Sequence, residues 1–170
     1  MRGCMTKVMF SCGEPSGDLY AGALTAEIQR LDPTVDVFGL GGECLASGGG
    51  RLVADYGGLA VTGLAGVLPA LPRYWATYRR LVVAARAERP DAFVAIDYPD
   101  FNFRLGSTIA ALGIPVIYYI SPQVWAWRRS RLRTMKRFVT RALVIFPFEE
   151  ALYRAAGIPV AFVGHPLLDL

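Results

Sequence analysis

Short apolar runs alternate along this chain with longer stretches patterned at helical spacing. Lys7 to Cys12, Val35 to Leu40, Ala92 to Ile96, Pro115 to Ile120, Leu143 to Ile145 and Val160 to Val163 read as strands. Between them, Ser16 to Leu31, Pro72 to Glu88, Phe103 to Leu112, Arg129 to Phe138 and Phe148 to Ala156 read as helices. Gly113 and Gly157, with Pro115 and Pro159 close behind, punctuate two helix-to-strand returns. The strand runs are apolar almost throughout rather than alternating, as expected of strands buried on both faces. Strand–helix alternation of this kind predicts an α/β fold, a Rossmann-like doubly wound parallel sheet. Neither a repeat nor a low-complexity linker divides the 170 residues, a length that fits one domain.

In such a sheet, ligands lie beyond the carboxyl ends of the strands. The run Ala92 to Ile96 ends there in Asp97 and Asp100, with Tyr98 and Pro99 between them. Proline steers the preceding residue away from the right-handed helical region, so the acids sit on a stiff loop at the crevice edge. A carboxylate in that position can take a proton from a hydroxyl if burial tunes its pKa. Asp100 and Asn102 stand directly ahead of the helix expected near Phe103 and suit its cap, which leaves Asp97 for chemistry.

Other strand ends carry weaker signals. SCGEPSGD, Ser11 to Asp18, opens a helix with Gly13 and Gly17, a geometry that admits an anion, although Ser16 and Asp18 suit a cap equally well. Gly39 to Gly42 is similarly permissive. In SPQVWAWR, Trp125 and Trp127 either pack the core or form a wall for a sugar or acyl chain, with Arg128 facing a phosphate. His165, the one histidine, lies in a turn where a structural role is the commoner one.

Composition narrows the classes. The chain is 54% hydrophobic, enough for a substantial core, yet every apolar window is too short or too broken by Gly and Pro to span a bilayer. No secretory leader is evident, so a cytoplasmic location is expected. Three cysteines without ligand spacing, and one histidine, predict neither zinc nor disulfides. The net charge of +4 comes from local clusters, at Arg73 to Arg89 and at Arg128 to Arg141. Such clusters suit phosphorylated or membrane ligands, or are simply solvated. Nucleic acid is disfavoured, because no recognised module accompanies the charge. The greasy stretch from Gly57 to Trp75 contains two prolines that stop a clean helix. Leu64, Val67, Leu68, Leu71 and Trp75, beside Arg73, Arg79 and Arg80, form either a core-packing helix or a face that dips into a membrane interface.

Taken in order, GEPSGD, GLGG, LAVTG, PDAFVAIDYPDFN, YYISPQVWAWR, FPFE and FVGHPL resemble the N-terminal half of the lipid-A-disaccharide synthase family, from about residue 8 to the end. That resemblance implies one half of a GT-B glycosyltransferase that joins UDP-2,3-diacylglucosamine to 2,3-diacylglucosamine 1-phosphate and releases UDP. It implies no metal or other cofactor, and a peripheral position on the cytoplasmic face of the inner membrane. Asp97 corresponds to the family's candidate general base. Glu14, Ser16 and Asp18 fall in the substrate-facing first loop, Asp100 and Asn102 in the same motif as Asp97, Trp125 in the substrate-binding VWAWR motif, and Arg128, which closes it, where an acceptor phosphate would lie. The resemblance further implies that residues 1–170 form the acceptor and membrane-side domain. The nucleotide-sugar domain would then be a missing segment or a separate chain, and this chain alone would not turn over. The competing expectations are a nucleotide-sugar epimerase of the same architecture and a non-catalytic module that binds anionic lipid.

Overall fold

A computed structural model describes residues 5–57, 64–122 and 130–166, without the side chains of residues 64–70. Its elements run β1 (Lys7–Cys12), α1 (Pro15–Leu31), β2 (Asp36–Gly41), α2 (Glu43–Ser47), β3 (Arg51–Asp55), α3 (Leu64–Glu88) and β4 (Ala92–Ile96). They continue with α4 (Pro99–Ala111), β5 (Val116–Tyr119), α5 (Ser130–Met135), β6 (Arg141–Val144), α6 (Pro147–Ala155) and β7 (Val160–Phe162). The seven strands form one parallel sheet in the order β3-β2-β1-β4-β5-β6-β7. The expected Rossmann-like fold is therefore present. The strand order reverses direction between β1 and β4, so the crevice opens at their carboxyl ends.

Right-handed crossovers fix which helices cover which face. On one face, Met9, Phe38, Leu40, Phe93, Val116, Tyr118, Ala142 and Val144 pack against α3, α4, α5 and α6 through Leu81, Phe101, Leu105, Met135 and Tyr153. On the other, Phe10, Cys12, Val37, Val94 and Ile96 pack beneath α1 and α2 through Ala21 and Leu45. Burying a side chain of the size of Phe10 or Phe93 contributes roughly 2–3 kcal/mol each, so these two layers supply most of the driving force.

Several elements differ from the sequence expectation. β3 and α2 were not anticipated. β3 is an edge strand whose run, RLVAD, buries only Ala54, so it carries no apolar signature. α3 begins at Leu64 rather than Pro72 and includes both Pro69 and Pro72. Each proline removes one N–H donor, but its fixed φ is itself helical, and the surrounding Leu and Ala residues sustain the helix. α4 begins at Pro99, not Phe103. Its N-cap is Tyr98 in the left-handed conformation, and Asp100 and Asn102 lie inside the helix rather than capping it. The remaining elements shift by a residue or a few at their ends.

The GLGG segment belongs to the sheet and to the turn after it. Gly39 has φ +151°, and a Cβ there would stand 1.9 Å from the Phe10 carbonyl oxygen on β1. Gly39→Ala should therefore destabilise the chain by about 3 kcal/mol or leave it insoluble, as read from a urea unfolding curve beside the parent.

Candidate active site

Two loops meet at the reversal point, one after β1 and one after β4. α1 starts at Pro15, where proline suits the first helical position, so Glu14 is the N-cap residue. The Glu14 side chain does not cap the helix. It hydrogen-bonds across the crevice to the Asp97 carboxyl. A hydrogen bond between two carboxyl groups requires a proton on one of them. Burial first, then the Glu14 contact, pushes Asp97 up to about 6 from the usual carboxylate range.

The backbone that presents Asp97 is strained and heavily braced. Asp97 and Tyr98 both adopt left-handed φ, at 46° and 47°, a region costly for residues with a Cβ. Pro99 excludes the right-handed alternative for Tyr98. The Asp97 carbonyl accepts hydrogen bonds from the Tyr118 hydroxyl at 2.9 Å and from Asn102 Nδ2 at 2.8 Å. Its N–H donates to the Tyr119 carbonyl at 3.2 Å. Burial, followed by the neighbouring Asp97 charge, raises the Tyr118 phenol well above its usual range and keeps it a donor.

Asn102 ties this loop to β1. Ser11 Oγ donates to its Oδ1 at 2.7 Å, and its Nδ2 also reaches the Ser11 carbonyl at 3.1 Å. The Tyr98 ring lies against Gly13, where a Cβ would stand 2.1 Å from the ring carbon Cδ1. The ring also stacks on Phe101, with centroids 5.6 Å apart.

The remaining expected site residues divide into three groups. Ser16 is exposed beside Glu14 at the start of α1. Asp18 is buried, and its carboxylate accepts N–H bonds from Gly42 at 2.7 Å, Cys44 at 2.9 Å and Leu45 at 3.2 Å. It caps the N-terminus of α2 rather than of α1, and so clamps the first loop to the turn after β2. Asn102 is likewise buried, and both side chains bond to the backbone of neighbouring loops. Asp100 is exposed and pairs with Arg131 at 2.6 Å; the Arg131 guanidinium also sits over the Phe103 ring. Trp125, Trp127 and Arg128 lie outside the described residues. Of the proposed membrane face, Leu71, Arg73, Trp75, Arg79 and Arg80 are exposed on α3, while the side chains of Leu64, Val67 and Leu68 lie outside the described set.

At the opposite end of the sheet acids pair with bases: Glu88 with Lys7 at 3.2 Å and with Arg51 at 2.7 Å, and Asp36 with Arg51 at 3.4 Å. Asp97 instead meets another acid. Unlike charges at one end and like charges at the other mark the crevice as the place where ionisation is tuned. Sequence reasoning missed Tyr118 and Ser11, whose apolar strand context gave no hint of their bonds, and missed the contact between Glu14 and Asp97. The described residues bring no three His, Cys, Asp or Glu side chains together in metal-binding geometry.

A sequence model of lipid-A-disaccharide synthetase matches residues 8–170. The chain belongs to that family. A lipid-A-disaccharide synthase of Koribacter versatilis is 46% identical over 98% of this chain and 44% of its own length. That of Syntrophus aciditrophicus is 47% identical over 96% of the chain and 43% of its own length. The chain thus spans less than half the length of the curated relatives it matches. Among solved structures, the UDP-GlcNAc 2-epimerase of Neisseria meningitidis superposes with TM-score 0.65 at 13% identity, over 96% of this chain and 47% of that one. MurG of Acinetobacter baumannii superposes with TM-score 0.54 at 14% identity, over 84% of this chain and 41% of that one. These two likenesses establish the fold.

Because Asp97 is raised in the folded state, it binds more protons folded than unfolded between pH 4 and 6, and stability falls as pH rises through that window. Asp97→Asn removes this penalty. The variant should be more stable than the parent at pH 8, by about 1 kcal/mol after solvent screening, and indistinguishable from it near pH 3.5. Thermal unfolding at the two pH values reads the difference.

Proposed function

We propose that this chain is the acceptor-binding half of a lipid-A-disaccharide synthase. The proposed reaction condenses UDP-2,3-diacylglucosamine with 2,3-diacylglucosamine 1-phosphate to give the disaccharide 1-phosphate and UDP. The observation that carries the reading is Asp97, held on a braced left-handed turn at the reversal point of a chain in this family, with its pKa raised to about 6.

A base with that pKa is largely ionised at neutral pH and still basic enough to accept a proton as a bond forms. In the proposed step, the acceptor 6-hydroxyl gives its proton to the Asp97 carboxylate. Its oxygen bonds to the sugar C1, and the bond from C1 to the diphosphate breaks with the electron pair leaving on UDP. Glu14 lies beside this carboxylate, and its contact helps to keep the Asp97 carboxyl raised. Ser16, at the exposed start of α1, borders the same crevice mouth. The nucleotide-sugar site and the final closure around both substrates are assigned to the part of the relatives that this chain does not match. Transfer therefore needs both halves, and the chain alone is expected to be inactive.

Acylated substrates have to be drawn from a bilayer. Leu71 and Trp75, each about 40% exposed, stand on α3 with Arg73, Arg79 and Arg80 around them. That combination of apolar and cationic side chains suits the headgroup region of an anionic membrane, and it supports a peripheral location on the cytoplasmic side of the inner membrane. No helix among the described residues is long and apolar enough to cross a membrane.

A chimera tests the reading. The matching segment of the Koribacter versatilis relative is replaced by residues 1–170, and UDP release is followed with both acylated substrates. Activity is expected, with a rate that rises with pH through an apparent pKa near 6, since the ionised base is the working form. Asp97→Asn in the chimera should lower kcat by about 10²–10⁴ and abolish that limb. Full activity in the variant would remove Asp97 from the chemistry. Binding of the acceptor lipid by an inactive chimera, unchanged by Asp97→Asn, would favour the lipid-binding module instead.

A further inference from the structure

Left-handed backbone occurs at the carboxyl ends of two neighbouring strands. Among the described residues, Arg89, Asp97, Tyr98 and Ile120 are the non-glycine positions with positive φ. Arg89 stands ahead of β4, at the far end of the sheet from the crevice. The other three follow β4 and β5, which pair directly, with Ile96 beside Tyr119. Ile120, at φ 53°, is the most demanding of them, because a branched side chain crowds the backbone in that region. Strain of this kind persists only where the surroundings over-determine it, and it gathers at functional sites.

The groups that hold Ile120 come from β6 and α6. Its N–H donates to the Leu143 carbonyl at 3.1 Å. The next residue, Ser121, is buried, and its hydroxyl bonds to that of Tyr153, which is wholly buried on α6. The Tyr153 hydroxyl also donates to the Pro122 carbonyl at 3.3 Å. A phenol has one proton, so the Ser121 hydroxyl is the donor in their shared bond. Burial pushes the Tyr153 phenol above its usual range, which keeps that proton in place. Glu149 and Tyr153 are the buried residues of α6, and the Glu149 carboxylate accepts the Phe146 N–H at 3.3 Å where that helix starts. The anchor is thus itself fixed one turn upstream.

The end of β5 matters because it carries two of the bonds that hold the Asp97 turn. Tyr119, immediately before Ile120, accepts the Asp97 N–H at 3.2 Å, and Tyr118 donates to the Asp97 carbonyl at 2.9 Å. We propose that Tyr153 is a positioning residue for Asp97: its hydroxyl holds the turn from Ile120 to Pro122, and the end of β5 passes that constraint to the loop after β4. Without the hydroxyl, Ser121 and Pro122 lose a buried partner and Ile120 relaxes out of the left-handed region. The Tyr119 carbonyl then moves with it. The Asp97 carboxyl meets Glu14 from the α1 loop and the Tyr98 N–H, with the Tyr118 phenol nearby on β5. Asn102 on α4 bonds to the Asp97 main chain. The positioning role stands on this geometry, and only its consequence for transfer rests on the proposed reaction.

The purified 170-residue chain decides the role, through an NMR titration of the Asp97 carboxyl carbon. In the parent the midpoint is expected near 6. Tyr153→Phe and Ser121→Ala should each lower it by about one pH unit, because a looser turn lets Asp97 part from Glu14 and hydrate. Tyr78→Phe removes another phenol bond on the same helical layer, to Thr108 at 2.6 Å, and should leave the midpoint unmoved. Ile120→Gly added to Tyr153→Phe should return it close to the parent value, since glycine takes this φ unstrained and needs no brace. A tyrosine that merely fills the core would lower the thermal midpoint and move no titration. If Tyr153→Phe does not fold, Ser121→Ala, which keeps the phenol, carries the same decision. An unmoved Asp97 midpoint in the folded variants would overturn the inference, as would an equal move in Tyr78→Phe or a failed rescue by glycine. In the chimera with the Koribacter versatilis relative, Tyr153→Phe should lower kcat about tenfold and leave KM for the UDP-sugar unchanged. An inactive parent chimera would refute the proposed reaction, and the titration would still decide the positioning role.

Discussion

The side chain of Asn102 is the fastening on which the crevice depends. It bonds to both main-chain and side-chain atoms of Ser11 on β1 and to the main chain of Asp97 after β4. It thereby links the two strands at the point where the sheet changes direction. With one acceptor and two donors fully used in a buried position, it tolerates little displacement, since a buried amide left unsatisfied costs about 1–3 kcal/mol. The left-handed turn at Asp97 and Tyr98 can persist only because this amide and the Tyr118 hydroxyl hold its carbonyl. The strain resides in the loop, and the bonds that oppose it come from a strand and a helix beneath.

This arrangement explains how a surface loop can carry a tuned acid. Asp97 reaches about 6 through partial burial and the company of Glu14, and each depends on the backbone staying where it is. A freer loop would let the two carboxyl groups separate and hydrate, and the shift would vanish. Asp18 performs a parallel service on the other side, locking the α1 loop to the turn after β2 through three N–H bonds. The acid pair is thus held from two directions by buried polar side chains.

Much of this was legible from residue order. The apolar runs at β1, β2, β4 and β5 announced themselves because strands in the middle of a parallel sheet are greasy throughout, and Asp97 stood out because it ends one of them. β3 was silent because an edge strand buries little. The span of α3 was hidden by Pro69 and Pro72, residues that read as breaks although a helix accepts their φ. The start of α4 was displaced because Asp100 and Asn102 carry the chemistry of a cap, while the real cap, Tyr98, does not. The roles of Asp18 and Asn102 were invisible for a deeper reason. The α2 N–H groups that Asp18 holds lie 24 to 27 residues away, and the Ser11 that Asn102 holds lies 91 away, and no local pattern encodes such a meeting.

The contact between Gly13 and the ring of Tyr98 bears on how this site can change over generations. Any side chain at position 13 would collide with that ring, and the ring is itself pinned by Phe101. A lineage could enlarge residue 13 only after shrinking residue 98, and shrinking residue 98 first would leave a gap under the strained turn. Either first step is penalised, so the two positions are locked into a joint trajectory. The loop that bears Glu14 and the loop that bears Asp97 are consequently inherited as one unit, although more than eighty residues separate them in the chain.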